Sequence, residues 1–169
     1  MINYFVLLLE YFLTRGKGIL SNVIICVIIS FVFYKMGSEK SIAIETSKTA
    51  VDLLGILLGF TISLFAIILS VDNEIINKAK LKSLDVKFYK EKFTVYDRLI
   101  TNIAFVIFLF SLLLIYNFLF PVIFESILKT YLIFYVLDVA IIIFSILELL
   151  ACILNYYLLI TSKNQNQNK

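Results

Sequence analysis

Histidine is absent from the 169 residues of this chain, and there are only two cysteines and one proline. Histidine is the usual general base and the commonest metal ligand, so its absence argues against most hydrolytic and metal-dependent active sites. Cys26 and Cys152 lie in different apolar stretches without a CxxC partner, which argues against a thiol relay or a zinc site. Gly16-Lys17-Gly18 lacks the strand and the remaining residues of a P-loop. We therefore expect no enzyme, no metal and no cofactor.

Charge is also scarce, and its near-absence over long stretches is the most informative feature of the chain. Only 16% of the residues are charged, whereas 62% are hydrophobic, which is too apolar for a soluble domain of this size. A bilayer core needs about 20 apolar helical residues to cross. Four stretches approach that length with almost no charge: 18–34, 53–71, 99–124 and 131–162. The sequence thus predicts an integral membrane protein whose apolar surface is covered by the lipid bilayer.

The apolar runs favour helices over the strands of an outer-membrane barrel. Barrel strands alternate apolar and polar residues over about ten positions, whereas residues 104–110 are apolar throughout. We therefore predict an all-α integral membrane four-helix bundle, forming a single membrane domain over residues 1–169. Its predicted parts are a short N-terminal interfacial helix at 1–17, spans at about 18–36, 51–72, 99–121 and 131–157, a cytoplasmic helical extension at 73–98 and a disordered tail at 163–169.

Two features set the ends of these segments. The apolar run that opens the chain is short for a span, and Arg15 and Lys17 follow it, whereas a secretory signal carries its cations first. It is predicted to lie at the inner interface, with a further span as the alternative. Pro121 is predicted to terminate the third span, because proline lacks the N–H that a helix interior needs.

Lysine and arginine are distributed unevenly between the connections. Eleven of the fifteen lie in the N-terminal segment, the connection between spans two and three, and the tail, and four lie in the other two connections. The positive-inside rule therefore places both termini in the cytoplasm of a bacterial inner membrane. This topology accounts for the positive net charge, so no nucleic-acid partner is expected.

The connection between spans two and three is rich in lysine. It is either a solvated extension beside anionic headgroups or a docking platform for a soluble cytoplasmic protein. The lysines of this predicted platform are Lys78, Lys80, Lys82, Lys87, Lys90 and Lys92.

Small residues recur every four positions in the second span, at Gly55, Gly59 and Ser63, and Ala66 and Ser70 continue near the same face. Such a GxxxG pattern forms a groove in which a second helix can approach closely. The groove could receive a helix of the same chain or a second copy, and the spacing alone leaves both open. We carry self-association into a homo-oligomer as a prediction.

The fourth span has one polar face. A carboxylate facing hydrocarbon costs at least about 2.5 kcal/mol near the bilayer centre, so this face should turn to the bundle interior, another subunit or water. Asn22 in the first span is the predicted partner of Glu148, which could either carry a proton or a cation or only fix helix packing. The face falls within an arc of about 100° and comprises Asp138, Ser145, Glu148, Cys152 and Asn155.

The run Leu54–Ser70, LGILLGFTISLFAIILS, is followed by the lysine-rich segment and two more spans. This arrangement resembles small four-span bacterial membrane proteins of phage-defence operons, such as the membrane component of Kiwa systems. The likeness covers architecture along most of the chain and a motif only in the second span. It implies an oligomeric membrane sensor or effector that works with a cytoplasmic partner.

Two functions therefore follow from the sequence. The first is an oligomeric membrane sensor or membrane-perturbing effector with a cytoplasmic partner, acting in phage defence as the resemblance implies. The alternative is a small ion or proton channel or transporter that uses the polar face of the fourth span. The first is favoured because four spans are few for a transporter and no inverted repeat is visible.

Overall fold

The computed structural model describes residues 9, 11–13, 18–36, 40–70, 74–84, 93–126 and 131–161, and nearly all of them are helical. The helices are α1 (Gly18–Met36), α2 (Lys40–Ser70), α3 (Glu74–Leu81), α4 (Val95–Ser126) and α5 (Tyr131–Thr161). Two short strands, β1 (Ser83–Leu84) and β2 (Phe93–Thr94), pair antiparallel. The prediction of a helical fold is confirmed. The predicted disordered tail lies outside the described residues.

Three helices are long and apolar enough to cross a membrane. The qualifying segments are Ser41–Ser70, Val95–Val122 and Leu132–Thr161, each about 42–45 Å long at 1.5 Å per residue. The hydrocarbon core is about 30 Å thick, so each helix exceeds it. The apolar part of α1, Ile19–Tyr34, is shorter, and a fourth span there stays a prediction.

Helix α4 is the centre of the packing, since it contacts both α2 and α5, whereas α1 packs mainly on α5. The main core lies between α2, α4 and α5, around Leu54, Phe110 and Leu149. A second cluster, which includes Ala43 and Phe120, lies where α2 begins and α4 ends. We call this end of the bundle the upper end, and the end that carries α3 and the strands the lower end.

Helix α2 begins at Lys40, about eleven residues before the predicted span. Ala43, Ser47 and Ala50 are buried, and their spacing of four and three residues places them on one face of the helix. The extra turns are therefore held by tertiary packing. In consequence Lys48, which the sequence places in the connection before the second span, is part of a helix that is long and apolar enough to cross a membrane.

Pro121 does not terminate α4, which continues to Ser126, so that prediction is wrong. Proline in a helix leaves the carbonyl four residues earlier without its backbone donor. Membrane helices tolerate this where another group bonds that carbonyl. Here the affected residue is Asn117, and its substitute donor is described below.

The predicted helical extension over 73–98 is only partly helical. Helix α3 covers eight residues, and the strands β1 and β2 follow it. Helix α4 then begins at Val95 because Thr94 and Asp97 cap it reciprocally: the Asp97 N–H donates to Thr94 Oγ1 at 3.1 Å, and the Thr94 N–H donates to Asp97 Oδ2 at 2.9 Å. This arrangement corresponds to a capping box, and it starts the helix four residues before the predicted position.

Candidate functional site

Glu148 is fully buried in α5 and bonded to α1. The side-chain amide of Asn22 donates to Glu148 Oε1 at 2.6 Å. Cys26 and Ser30, one and two turns beyond Asn22, are buried as well, so α1 turns this face toward α5. The structure thus brings together Asn22 and Glu148. A hydrogen bond of this kind between membrane helices contributes about 0.6 kcal/mol on average and up to about 1.7 kcal/mol.

The rest of the predicted polar face of α5 divides into buried and exposed residues. Ser145 is buried, and its hydroxyl donates to the Ile141 carbonyl of the same helix at 2.7 Å. Cys152 is buried and is not part of a disulfide. Asn155 is exposed and does not join them. Asn22 lies opposite Glu148, and α1 and α5 run antiparallel. Asn155 is seven residues further toward the lower end than Glu148, whereas α1 extends only four residues below Asn22, to Gly18. Asn155 therefore lies beyond the lower end of α1.

Asp138 belongs to a buried cluster that connects three helices. The side-chain amide of Asn117 donates to Asp138 Oδ1 at 2.9 Å and to the Leu113 carbonyl at 3.0 Å. The Ser47 hydroxyl lies 3.0 Å from both the side-chain and the backbone oxygen of Asn117. All three side chains are less than 7% exposed. We call Ser47, Asn117 and Asp138 the Asn117 cluster; it joins α2, α4 and α5.

This cluster also compensates for the proline in α4. The Asn117 carbonyl is the acceptor that a backbone N–H at position 121 would have served. The Ser47 hydroxyl reaches that carbonyl from α2. Sequence reasoning assigns Asn117 a structural role and misses Ser47, although a proline four residues after Asn117 signals a carbonyl in need of a donor.

The small residues of α2 face away from the bundle. Gly55, Gly59 and Ser63 are exposed, and a methyl group added at either glycine would meet nothing within 4 Å. Within the described part of the chain, the Ser63 hydroxyl bonds only to its own helix, at the Gly59 carbonyl. Among the described residues, no helix of the same chain occupies this groove.

The exposed polar face extends along most of α2. Successive residues of a helix are turned by about 100°. The small residues of α2 and three charged residues of its upper half therefore lie within an arc of about 80°. All of these residues are exposed. We call this face the α2 stripe; it comprises Glu45, Lys48, Asp52, Gly55, Gly59, Ser63, Ala66 and Ser70.

The α2 stripe differs from the neighbouring surfaces at the same height. Because Ser47 lies opposite Asn117, Asp52 lies near the level of Leu112. From that level upward, α4 and α5 expose large apolar side chains. These are Leu112, Ile115, Phe118, Leu119 and Val122 on α4, and Ile133, Phe134, Leu137 and Ile141 on α5. One side of the upper half is therefore apolar and the α2 side is charged.

The described part of the lysine platform lies at the lower end. Lys78, Lys80 and Lys82 are exposed. Lys78 pairs with Glu74 at 2.7 Å, and the Lys80 ammonium lies 5.1 Å from the ring centroid of Tyr96. The remaining predicted members, Lys87, Lys90 and Lys92, lie outside the described residues.

Most of the predicted interfacial helix at 1–17 lies outside the described residues too. Leu9 and residues 11–13 are helical. Tyr11 is buried and stacks on Phe105 of α4, with ring centroids 3.7 Å apart. This part of the N-terminal segment therefore packs against the bundle.

Comparison of the chain with known protein families, with curated proteins and with solved structures finds no match.

Proposed function

We propose that this chain is a membrane protein whose copies associate through the α2 stripe, and that the resulting homo-oligomer senses or perturbs the membrane. The observation that carries the proposal is the exposure of the α2 stripe over its full length. A charged group that faces lipid costs at least about 2.5 kcal/mol near the bilayer centre, and Asp52 is the charged residue of the stripe closest to the middle of α2. A second copy would remove these groups from hydrocarbon.

The two halves of the α2 stripe suit such a contact in different ways. In the lower half, Gly55 and Gly59 leave room for the backbone of another helix, and close packing is a main source of association in lipid. In the upper half, Glu45, Lys48 and Asp52 carry both signs within two turns. The lysine of one copy can therefore meet a carboxylate of the other.

The orientation that we propose has four spans, including α1, in a bacterial inner membrane with both termini in the cytoplasm. It rests on the eleven cations that this places inside against four on the outer side, of which Lys48 lies within the outer part of α2. Cysteine labelling in intact cells should reach Ser126→Cys and not Ser83→Cys. The reverse pattern of labelling would reject this orientation.

A soluble partner would then meet the lower end, where Lys78, Lys80 and Lys82 are exposed. The resemblance to membrane proteins of phage-defence operons supports the same role of sensor or effector. Release of a trapped dye from liposomes containing the purified protein measures membrane perturbation. Liposomes that stay sealed with the protein, with and without cell extract, would reject the effector role.

The alternative of a channel along α5 has less support. Both carboxylates of that helix are buried, and each accepts a hydrogen bond from another helix. This arrangement favours a packing role for Glu148 and Asp138. Ion flux through a Glu148→Gln variant separates the two roles.

Native mass spectrometry of Gly59→Ile tests the proposed contact. A β-branched side chain at this position would hold two helices apart, yet it has free space within its own chain, so the monomer should fold normally. Val122→Ile is the matched control, since Val122 is exposed on α4, away from the α2 stripe. We expect oligomers for the wild type and the control, and mainly monomers for Gly59→Ile. A monomeric wild type, or an unaffected Gly59→Ile oligomer, would reject the proposal.

A further inference from the structure

A groove of about 330 Å³ opens between α4 and α5 in the upper half of the bundle. Its volume lies within the range of small-molecule sites. Four of its lining residues, Leu112, Phe134, Leu137 and Ile141, are exposed on the bundle surface, so the groove is reached from the lipid side. The complete lining is Leu109, Leu112, Leu113, Tyr116, Phe134, Leu137, Asp138 and Ile141.

The lining of this groove is almost entirely apolar, and its two polar residues are Tyr116 and Asp138. The Tyr116 hydroxyl lies 3.4 Å from the Phe134 carbonyl. Leu109 lies seven residues below Tyr116, about 10 Å toward the middle of the bundle, and with Ile141 it forms an apolar lower part. Phe134 and Leu137 lie above Asp138 on α5, so the groove holds one carboxylate between apolar walls. A lipid whose headgroup reaches Asp138 can run its chain inward along the apolar lower part.

Asp138 gives this groove a preference for one kind of headgroup. Its side chain is 6% exposed, and among the described residues Asn117 is its only hydrogen-bond partner, at Oδ1. No lysine or arginine among those residues forms an ion pair with it. A carboxylate at the edge of hydrocarbon is stabilised by a cation that can also donate hydrogen bonds.

We propose that this groove binds a phospholipid with a primary-amine headgroup, with an acyl chain along Leu109 and Ile141 and the ammonium group on Asp138. A phosphatidylethanolamine headgroup has three N–H donors, whereas the trimethylated nitrogen of phosphatidylcholine has none. The two lipids carry the same charge and can carry the same chains. The difference between them therefore isolates the hydrogen bond to Asp138. This proposal is independent of self-association through α2.

Native mass spectrometry of the full chain, delipidated in detergent and mixed with equal amounts of palmitoyl-oleoyl phosphatidylethanolamine and phosphatidylcholine, tests the proposal. We expect the ethanolamine lipid to be retained several-fold more than the choline lipid. Asp138→Asn keeps an oxygen for Asn117 and removes the charge, so the ratio should fall to about one. Glu74→Gln removes an exposed carboxylate in α3 and should leave the ratio unchanged.

Leu137→Trp provides a second variant in case Asp138→Asn does not fold. The larger side chain lies at the groove and should reduce the retention of both lipids and abolish the excess of ethanolamine lipid. Equal retention of the two lipids by the wild type would overturn the proposal and indicate acyl-chain contact only. So would an unchanged ethanolamine excess in Asp138→Asn or, where that variant fails to fold, in Leu137→Trp.

Discussion

The polar faces of α5 and α2 look alike in the sequence and differ in the structure. On α5, Asp138 and Glu148 are buried and bonded to other helices of the chain. On α2, the whole stripe from Glu45 to Ser70 is exposed. Helical periodicity therefore shows that a membrane helix has a polar face, but not what covers that face. The uncovered face points outward, and we interpret it as a contact between copies.

The buried polar residues of α5 can be tested first at the Asn117 cluster, where we expect the largest change in the free energy of unfolding. Asn117→Leu removes the side-chain donor of the buried Asp138, whereas Ser47 keeps the backbone carbonyl of residue 117 as an acceptor; an unsatisfied buried group costs about 1–3 kcal/mol. We expect a loss of about 2–3 kcal/mol in the free energy of unfolding, measured by denaturation in mixed micelles.

Asn102→Leu is the matched control for this variant. Asn102 is an equally buried asparagine of α4, but its side-chain oxygen has no hydrogen-bond partner among the described residues. Its replacement should therefore cost clearly less than that of Asn117. Equal losses for the two variants would mean that the Asn117 cluster does not stabilise the bundle.

Two substitutions of similar size test whether Glu148 acts as a hydrogen-bond acceptor or through its charge. Glu148→Gln keeps an oxygen that can accept the Asn22 amide, so the unfolding free energy should change by less than about 1 kcal/mol. Glu148→Leu leaves Asn22 without that acceptor, and we expect a loss of about 1–2 kcal/mol, measured by the same denaturation. A Glu148→Gln protein that assembles normally but loses ion flux in liposomes would instead support the channel alternative.

The compensation of Pro121 by Ser47 can be measured as a coupling energy. Ser47→Ala should cost about 1 kcal/mol in the wild-type background. In a Pro121→Ala background, the backbone N–H at position 121 can bond the Asn117 carbonyl, so the same change should cost less. A double-mutant cycle of unfolding free energies gives the difference. Strictly additive losses would show that Ser47 does not replace the missing backbone donor.

The smallest effect is expected from Lys48 on the α2 stripe. Lys48→Glu gives the upper part of the stripe three negative charges, so copies should repel each other. The oligomer should then dissociate at a severalfold higher protein concentration than the wild type. Exposed charge pairs contribute about 0.2–1 kcal/mol and are screened by salt. Dissociation measured at low and high salt should therefore differ for this variant. If the Lys48→Glu oligomer has unchanged affinity and no salt dependence, Lys48 is not part of the proposed contact.

Much of the fold followed from the sequence because hydrophobic length is a local property. The apolar runs located α4 and α5 to within a few residues, and helical spacing placed Asn22 and Glu148 on faces that meet. The Asn117 cluster did not follow, because it depends on a tertiary donor from α2 to a carbonyl left free by Pro121. The early start of α2 was missed for a similar reason, since Ala43 and Ser47 are held by packing against α4 and α5.

Disulfide cross-linking in native membranes tests the central claim most directly. In a background with Cys26→Ala and Cys152→Ala, single cysteines would replace Gly59 and Ser63 on the α2 stripe, and Val122 and Leu154, which are exposed on α4 and α5. If the α2 stripe is the contact between copies, oxidation will give covalent dimers at Gly59 or Ser63 and few at Val122 or Leu154. Dimers that form mainly at Val122 or Leu154, or equally at all four positions, would contradict it.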